Sequence, residues 1–275
     1  MSSTLTTARG DVIAYDHHRA AGRQTADTAV VFIAGAGVFR AIDPHTTETG
    51  ERLARAGVDA LVFDRTGRGE SVASADDGVL DLERELDVIR AVVDAAGAPA
   101  VLCGHSSGAT LALAAAAVGV PVVGVVTWEA PLDGFSAGVT AWATEFIRLL
   151  DAGELERALE QYMVDMPPEW LESARQSPEF PMMVAQTPTM RADAASLTWA
   201  DSAPLPELLA GITVPVLALA GTETFPGMVE AAEEIAAAVR DGRAERVAGA
   251  DHSWEPAAMA ERLAAFAREA MRVRA

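Results

Sequence analysis

The sequence predicts an α/β fold: a mostly parallel β-sheet flanked by helices, with a helical cap inserted late in the chain. Three observations carry this. Short β-branched runs alternate with longer amphipathic stretches, as helix-covered parallel sheets require. The stretch from Leu132 to Leu209 breaks that rhythm, being helix-like and repeatedly interrupted by Pro. Half of the 275 residues are apolar, enough to bury one sizeable core together with an extra subdomain.

In chain order, Thr4 to His17 has the alternation of a hairpin. "AVVFIA" (29–34), "DALVF" (59–63), "PAVLC" (99–103), "VVGVVTW" (122–128), "VPVLALA" (214–220) and "AERVA" (244–248) read as strands. Between them, Pro44 to Ala56, Asp81 to Ala96, Ser107 to Val118, Pro226 to Arg240 and Pro256 to Arg272 have helical length and apolar spacing. Several of these carry Pro in the first turn, where its missing N–H costs nothing. The organisation expected is therefore a core over 1–131, a cap over 132–209 and the rest of the core over 210–275. The cap concentrates Trp142, Phe146, Tyr162, Met163, Met166, Trp170, Phe180, Met182, Met183, Met190 and Trp199. Most should form the cap's own small core, with one apolar face left over for a ligand.

Composition narrows the function. A net charge of −19 and a pI near 4.5 oppose nucleic acid, anionic membrane surfaces and polyanionic substrates, which would be repelled at long range. The chain contains no Lys and no Asn, so Schiff-base chemistry, a pyridoxal phosphate anchor and a Walker A lysine are ruled out. The single cysteine, Cys103, forbids an intrachain disulfide and a multi-cysteine zinc site; no metal or cofactor is expected. With neither a signal-peptide pattern nor a membrane-length apolar run, a cytoplasmic protein is the expectation. Homodimerisation is left open.

The chemistry centres on "AVLCGHSSGATLALAAAA", where Gly104-His105-Ser106-Ser107-Gly108 joins a buried strand to an Ala-rich helix. This is the G-x-S-x-G elbow in its required context. Ser106 must occupy a tight, strained turn, and the two glycines have no side chains to collide there. The Ser107 amide, at the helix start, is free to donate to an oxyanion. The Ser107 hydroxyl is the poorer nucleophile, because it lies in the first turn of the helix.

With these residues the chain resembles the α/β-hydrolase superfamily over nearly its whole length. The resemblance implies an eight-stranded-type sheet. "DRTGRGES" (Asp64 to Ser71) is similar to that family's D-x-x-G-x-G-x-S turn and reads as structural, with Arg65 and Arg68 solvated or paired with neighbouring carboxylates. The family's first oxyanion donor lies in an H-G-x-G-like loop. Here Ala34-Gly35-Ala36-Gly37 stands in that place, which makes the Ala36 amide the expected donor. The resemblance also implies a base after the last strand, and "VAGADHSWEP" supplies His252.

The acid is displaced. The family's usual position, three residues beyond Gly221, is Thr224, and Glu223 is one residue short. "VVTWEAP" instead places Glu129 at the end of the strand beside the nucleophile strand. Some branches of the superfamily keep their acid there, among them haloalkane dehalogenases and zearalenone-type lactonases; this chain is similar to the latter in its S-S-G-A, its Glu-x-Pro and its T-x-T turn. Glu223, Asp133 and Asp251 are the alternatives.

The reading is a cofactor-free serine hydrolase of a neutral, hydrophobic ester or lactone, with Ser106, His252 and Glu129 as triad and the Ala36 and Ser107 amides as oxyanion hole. Gly35, Phe39, Trp128, Trp142, Met163, Met183 and Trp254 are the expected substrate-binding residues. A C–C bond hydrolase or acyltransferase would use the same triad, and a non-catalytic ligand receptor the same fold.

Overall fold

The computed structural model describes residues 2–20, 27–75, 79–132 and 136–274. Within them, nine strands form one sheet in the order β1-β2-β4-β3-β5-β6-β7-β8-β9. The antiparallel pair β1 (Ser3–Thr6) and β2 (Val12–His18) adds to one side. The centre is parallel: β3 (Ala29–Ile33), β4 (Asp59–Phe63), β5 (Ala100–His105), β6 (Gly124–Trp128), β7 (Val216–Glu223) and β8 (Gly242–Ala250). β9 (Ser253–Trp254) turns back antiparallel on β8; it is the strand the sequence did not announce, too short to show a period.

Every residue of β3, β4 and β6 is buried, as expected of parallel strands covered on both faces. Alternate side chains feed two cores. Val31, Ile33, Leu102 and Val125 pack toward α2 (Leu82–Ala96), α3 (Ser107–Ala117) and α10 (Met228–Ala238). Val30, Phe32, Val101, Cys103, Val126 and Trp128 pack toward α1 (Pro44–Arg55) and α11 (Pro256–Arg274). Local signals set the helix ends. Asp43 and Asp81 accept the amides of Thr46 and Arg84 as N-caps, and Gly97, at φ +66°, closes α2 in the left-handed conformation.

Between β6 and β7 the described chain is helical: α4 (Val139–Asp151), α5 (Leu155–Tyr162), α6 (Pro168–Gln176), α7 (Phe180–Gln186), a 3₁₀ turn (Thr187–Met190), α8 (Arg191–Ala200) and α9 (Leu205–Leu208). Trp142, Phe146 and Tyr162 stack together in a small core of their own, with ring centroids 5.0 to 6.0 Å apart. The segment does not behave as one body, however. α8 packs against α2 and α3, while Trp199, Leu205, Leu208 and Leu209 belong to the main core, so this end of the expected cap is part of the sheet's own packing. α3 tolerates so close a neighbour because six of its eleven residues are Ala and three more are Ser, Gly and Thr, and it is buried from Ser107 through Ala116.

Candidate active site

Three strand ends build the site. β5 ends at His105, and Ser106 follows at φ +56°, ψ −127°, a conformation that L residues adopt only when the surroundings impose it. The surroundings do so by contact. A Cβ on Gly104 would lie 2.2 Å from the Gly108 carbonyl oxygen, and one on Gly108 would lie 2.2 Å from that of Ile33. The Ser106 amide donates to the Trp128 carbonyl (2.9 Å), and its own carbonyl accepts from Ala109 (2.8 Å), so the turn is held on both sides.

At the end of β6, Glu129 takes φ +46° and its amide donates to Leu219 O on β7 (2.9 Å). Its carboxylate is 2% exposed and fully engaged. Oε2 meets His252 Nδ1 at 2.6 Å, while Oε1 accepts from the Gly221 amide (2.8 Å) and from Thr224 Oγ1 (2.5 Å). Burial pushes the Glu129 pKa up, but the hydrogen bonds from His252, Thr224 and Gly221 outweigh it and hold the carboxyl below its ordinary value. Thr224, which stands at the family's usual acid position, is thus a donor to the acid. Glu223 is exposed at the end of β7, in register with Ala250, and does not meet the imidazole. Asp251 is also exposed, and Asp133 lies outside the described residues.

His252 sits in a two-residue turn between β8 and β9. Asp251 and His252 have φ +51° and +67°, and the flanking pairs are Ala250–Ser253 and Gly249–Trp254. Positive φ at both positions is the signature of a type I′ hairpin, where Asp is favoured and His is tolerated better than most residues. Two ring N–H groups fix this turn from behind: His105 Nε2 (2.8 Å) and Trp128 Nε1 (3.1 Å) both donate to the His252 carbonyl. Burial, followed by the charge of His252, lowers the His105 pKa to about 4, so His105 is neutral and a donor at Nε2. Sequence reasoning assigned neither residue this role, because no local pattern links a G-x-S-x-G position to a carbonyl 147 residues away.

Ser106, Ser107, His105, His252, Gly35 and Ala36 border one cavity of about 1000 Å³. Its far walls come from the helical segment and the β7–α10 connection, and include Trp142, Tyr162, Met163, Met166, Trp170, Met182, Met183, Met190, Phe225 and Met228. Among the described residues no Arg lines it, and its charged members are Asp165 and Glu179. Of the expected contact residues, Gly35, Trp142, Met163 and Met183 reach this cavity. Phe39, Trp128 and Trp254 do not. Trp128 shares its parity along β6 with Val126 and is therefore buried on the α1/α11 face. Trp254 turns inward to donate to Thr49 Oγ1 (2.9 Å), and Phe39 borders a separate small void with it.

Arg65 and Arg68 are not solvated; both are wholly buried. Arg65 pairs with Glu85 (2.7 Å) and with Asp193 on α8 (2.5 Å), and Arg68 pairs with the other oxygen of Asp193 (2.5 Å). Two guanidiniums and two carboxylates make the cluster neutral, the condition under which charge is tolerated in a dry interior.

Sequence and structure comparisons identify the family and the fold. Residues 30–268 match the model of the Alpha/beta hydrolase family. No curated protein matches the sequence. Among solved structures, an alpha/beta hydrolase from Sphaerobacter thermophilus is 28% identical at a TM-score of 0.79, over 96% of this chain and 99% of that one. A thermophilic esterase from Thermogutta terrifontis is 21% identical (TM-score 0.62, 99% and 98% covered), and the enol-lactonase from Burkholderia xenovorans LB400 is 17% identical (TM-score 0.58, 98% and 98% covered). The chain belongs to the alpha/beta hydrolase family. Among the described residues, no helix is long and apolar enough to cross a membrane, and no group of side chains could hold a metal ion.

Proposed function

We propose that the protein is a serine hydrolase that cleaves a carboxylic ester or lactone in a neutral, hydrophobic substrate. The observation that carries this is the 2.6 Å contact of His252 Nδ1 with a buried, ionised Glu129, at the edge of the same cavity that Ser106 enters. A carboxylate at Nδ1 keeps the proton on that nitrogen and leaves Nε2 as the free base. His252 Nε2 then takes the Ser106 hydroxyl proton as Oγ bonds to the substrate carbonyl carbon. The resulting oxyanion is received by the Ala36 and Ser107 amides, neither of which is committed to a turn or loop backbone acceptor among the described residues. The imidazolium returns its proton to the leaving alkoxide. Water, deprotonated by His252, next attacks the acyl-enzyme, releasing the acid and regenerating Ser106.

The cavity supports the substrate class. Its volume is at the upper end for small-molecule sites, its walls are aromatic and Met-rich, and its fixed charge is negative. A large apolar ester or macrolactone suits it, and an anionic substrate would be repelled. The place of Glu129 after β6 is what the resemblance to zearalenone-type lactonases implies, and it is on that resemblance that the lactone reading rests.

The test is fluorophosphonate labelling read by intact mass, alongside turnover of p-nitrophenyl esters and neutral macrolactones, with Ser106→Ala beside the parent. One adduct that Ser106→Ala abolishes, together with turnover of neutral but not carboxylate-bearing esters, is the expected result. No Ser106-dependent adduct on the parent would sink the reading.

A further inference from the structure

The oxyanion hole of a family member is ordinarily described by its two amides. Here the groups that aim those amides are visible. Arg68 Nη1 donates to the Gly35 carbonyl at 2.8 Å. The Gly35 C=O and the Ala36 N–H belong to the same peptide unit, which is planar and trans, so they point in opposite directions. Gripping the Gly35 oxygen from the protein interior therefore turns the Ala36 N–H outward, to the side where the cavity lies. Arg65 Nη1 holds the preceding carbonyl, Ala34 O, at 3.2 Å. On the other half of the hole, Ser107 Oγ donates to Asp193 Oδ1 at 2.7 Å, anchoring the residue whose amide is the second donor.

All of these bonds run through one side chain of α8. Asp193 Oδ1 accepts from Arg65 and from Ser107, and Oδ2 accepts from Arg68. Arg68 is further fixed by Thr189, through Nε to Oγ1 (3.0 Å) and Nη2 to the carbonyl (3.1 Å). The Asp193, Arg65 and Arg68 side chains have no exposed surface, so these contacts are not screened by water.

We propose that Asp193 and Arg68 are positioning residues for the oxyanion hole: Arg68 aims the Ala36 amide through Gly35 O, and Asp193 locks Arg68, Arg65 and Ser107 in one rigid unit. This rests on the serine-hydrolase reading, and it adds that a helix of the β6–β7 insertion, packed on the nucleophile helix, controls transition-state stabilisation. An interaction that matters only when the oxyanion exists lowers kcat and leaves KM alone when lost. Loosening donors, rather than removing one, places the loss at about 10- to 100-fold for Asp193→Asn. Ser107→Ala keeps every charge paired and removes the anchor to Asp193 together with the Ser107 contact to Tyr162, so about a 3- to 10-fold loss is expected.

The experiment measures kcat and KM for a neutral p-nitrophenyl ester, the affinity of a trifluoromethyl ketone, and hydrogen exchange of the peptide spanning residues 33–38, in the parent, Asp193→Asn and Ser107→Ala. The ketone binds as a tetrahedral oxyanion and so reads the hole directly. The expected result is a fall in kcat matched by the same factor in ketone affinity, KM within about twofold of the parent, and lost protection of the 33–38 peptide in Asp193→Asn. A purely structural role would lower the melting temperature without that split. If Asp193→Asn fails to fold, Ser107→Ala decides alone. Parent-like kcat and ketone affinity, or unchanged exchange in a folded Asp193→Asn, overturn the inference. A parent that carries no Ser106 adduct with fluorophosphonate overturns instead the hydrolase reading, while the exchange result still decides whether the clamp holds the loop.

Discussion

Replacing Glu129 by Gln changes one heavy atom and should remove nearly all turnover, for a reason contained in the hydrogen bonds. The Oε1 position receives two donors, the Gly221 amide and Thr224 Oγ1. A glutamine must place its carbonyl oxygen there, because an NH₂ group would face donors. That leaves the NH₂ group against His252 Nδ1, which must then accept and lose its proton. The imidazole is driven into the tautomer with hydrogen on Nε2 and can no longer deprotonate Ser106. Loss of the correct tautomer and of the imidazolium's counter-charge should lower kcat by about 10³- to 10⁴-fold, equivalent to about 4–5.5 kcal/mol of transition-state stabilisation. The assay is steady-state ester hydrolysis, with Glu223→Gln as control. Glu223 is exposed and should retain parent activity. A Glu129→Gln protein within threefold of the parent, or a comparable loss in Glu223→Gln, would refute the assignment of the acid.

Two further outcomes follow from the same contacts. Thr224→Val keeps the shape but deletes one charge-assisted donor to Glu129, so kcat should fall about 3- to 10-fold, with a loss of about 1–2 kcal/mol in urea unfolding; unchanged kinetics would show the contact to be incidental. For pH, the sign differs in origin but not in direction. Glu129 has a folded-state pKa below its ordinary 4.5, so its contribution is present above that value and is lost as pH falls through the folded value. His105 stays neutral in the fold down to about 4, whereas the unfolded chain takes up its proton near 6.5; stability therefore declines between those values, by about 2–3 kcal/mol. Urea midpoints measured from pH 7 to 4 check this, and His105→Gln should flatten the decline between 6.5 and 4; an equal slope in both proteins would contradict it.

What could be read from the sequence was whatever repeats locally or is anchored to a strand end. The β-branched runs, the glycine-framed elbow and "TWEAP" each sit where a few neighbouring residues determine the geometry, and the structure brings Ser106 and His252 to one cavity edge, with Glu129 buried behind the imidazole at Nδ1. The losses have physical causes. β9 has two residues, too few for a period, although Asp251-His252 is a passable I′ turn. Trp128 and Trp254 look like pocket residues by type, but strand parity and a partner on α1 turn them inward. The two arginines of "DRTGRGES" depend on Asp193, 125 or more positions away, and no motif announces so distant a counter-ion.

That distant counter-ion also bears on modularity. Helical insertions over a hydrolase core invite exchange between relatives as a route to new substrate ranges. In this chain such a graft would strand Arg68 as a buried cation and leave Arg65 with Glu85 alone, since Asp193, which pairs with both, is encoded on the transplanted piece. A chimera would need to keep α8 with its native sheet, or carry in an aspartate at the same place. Crossover points should therefore fall before Thr187 rather than at the start of β7, leaving α4 to α7 as the exchangeable unit.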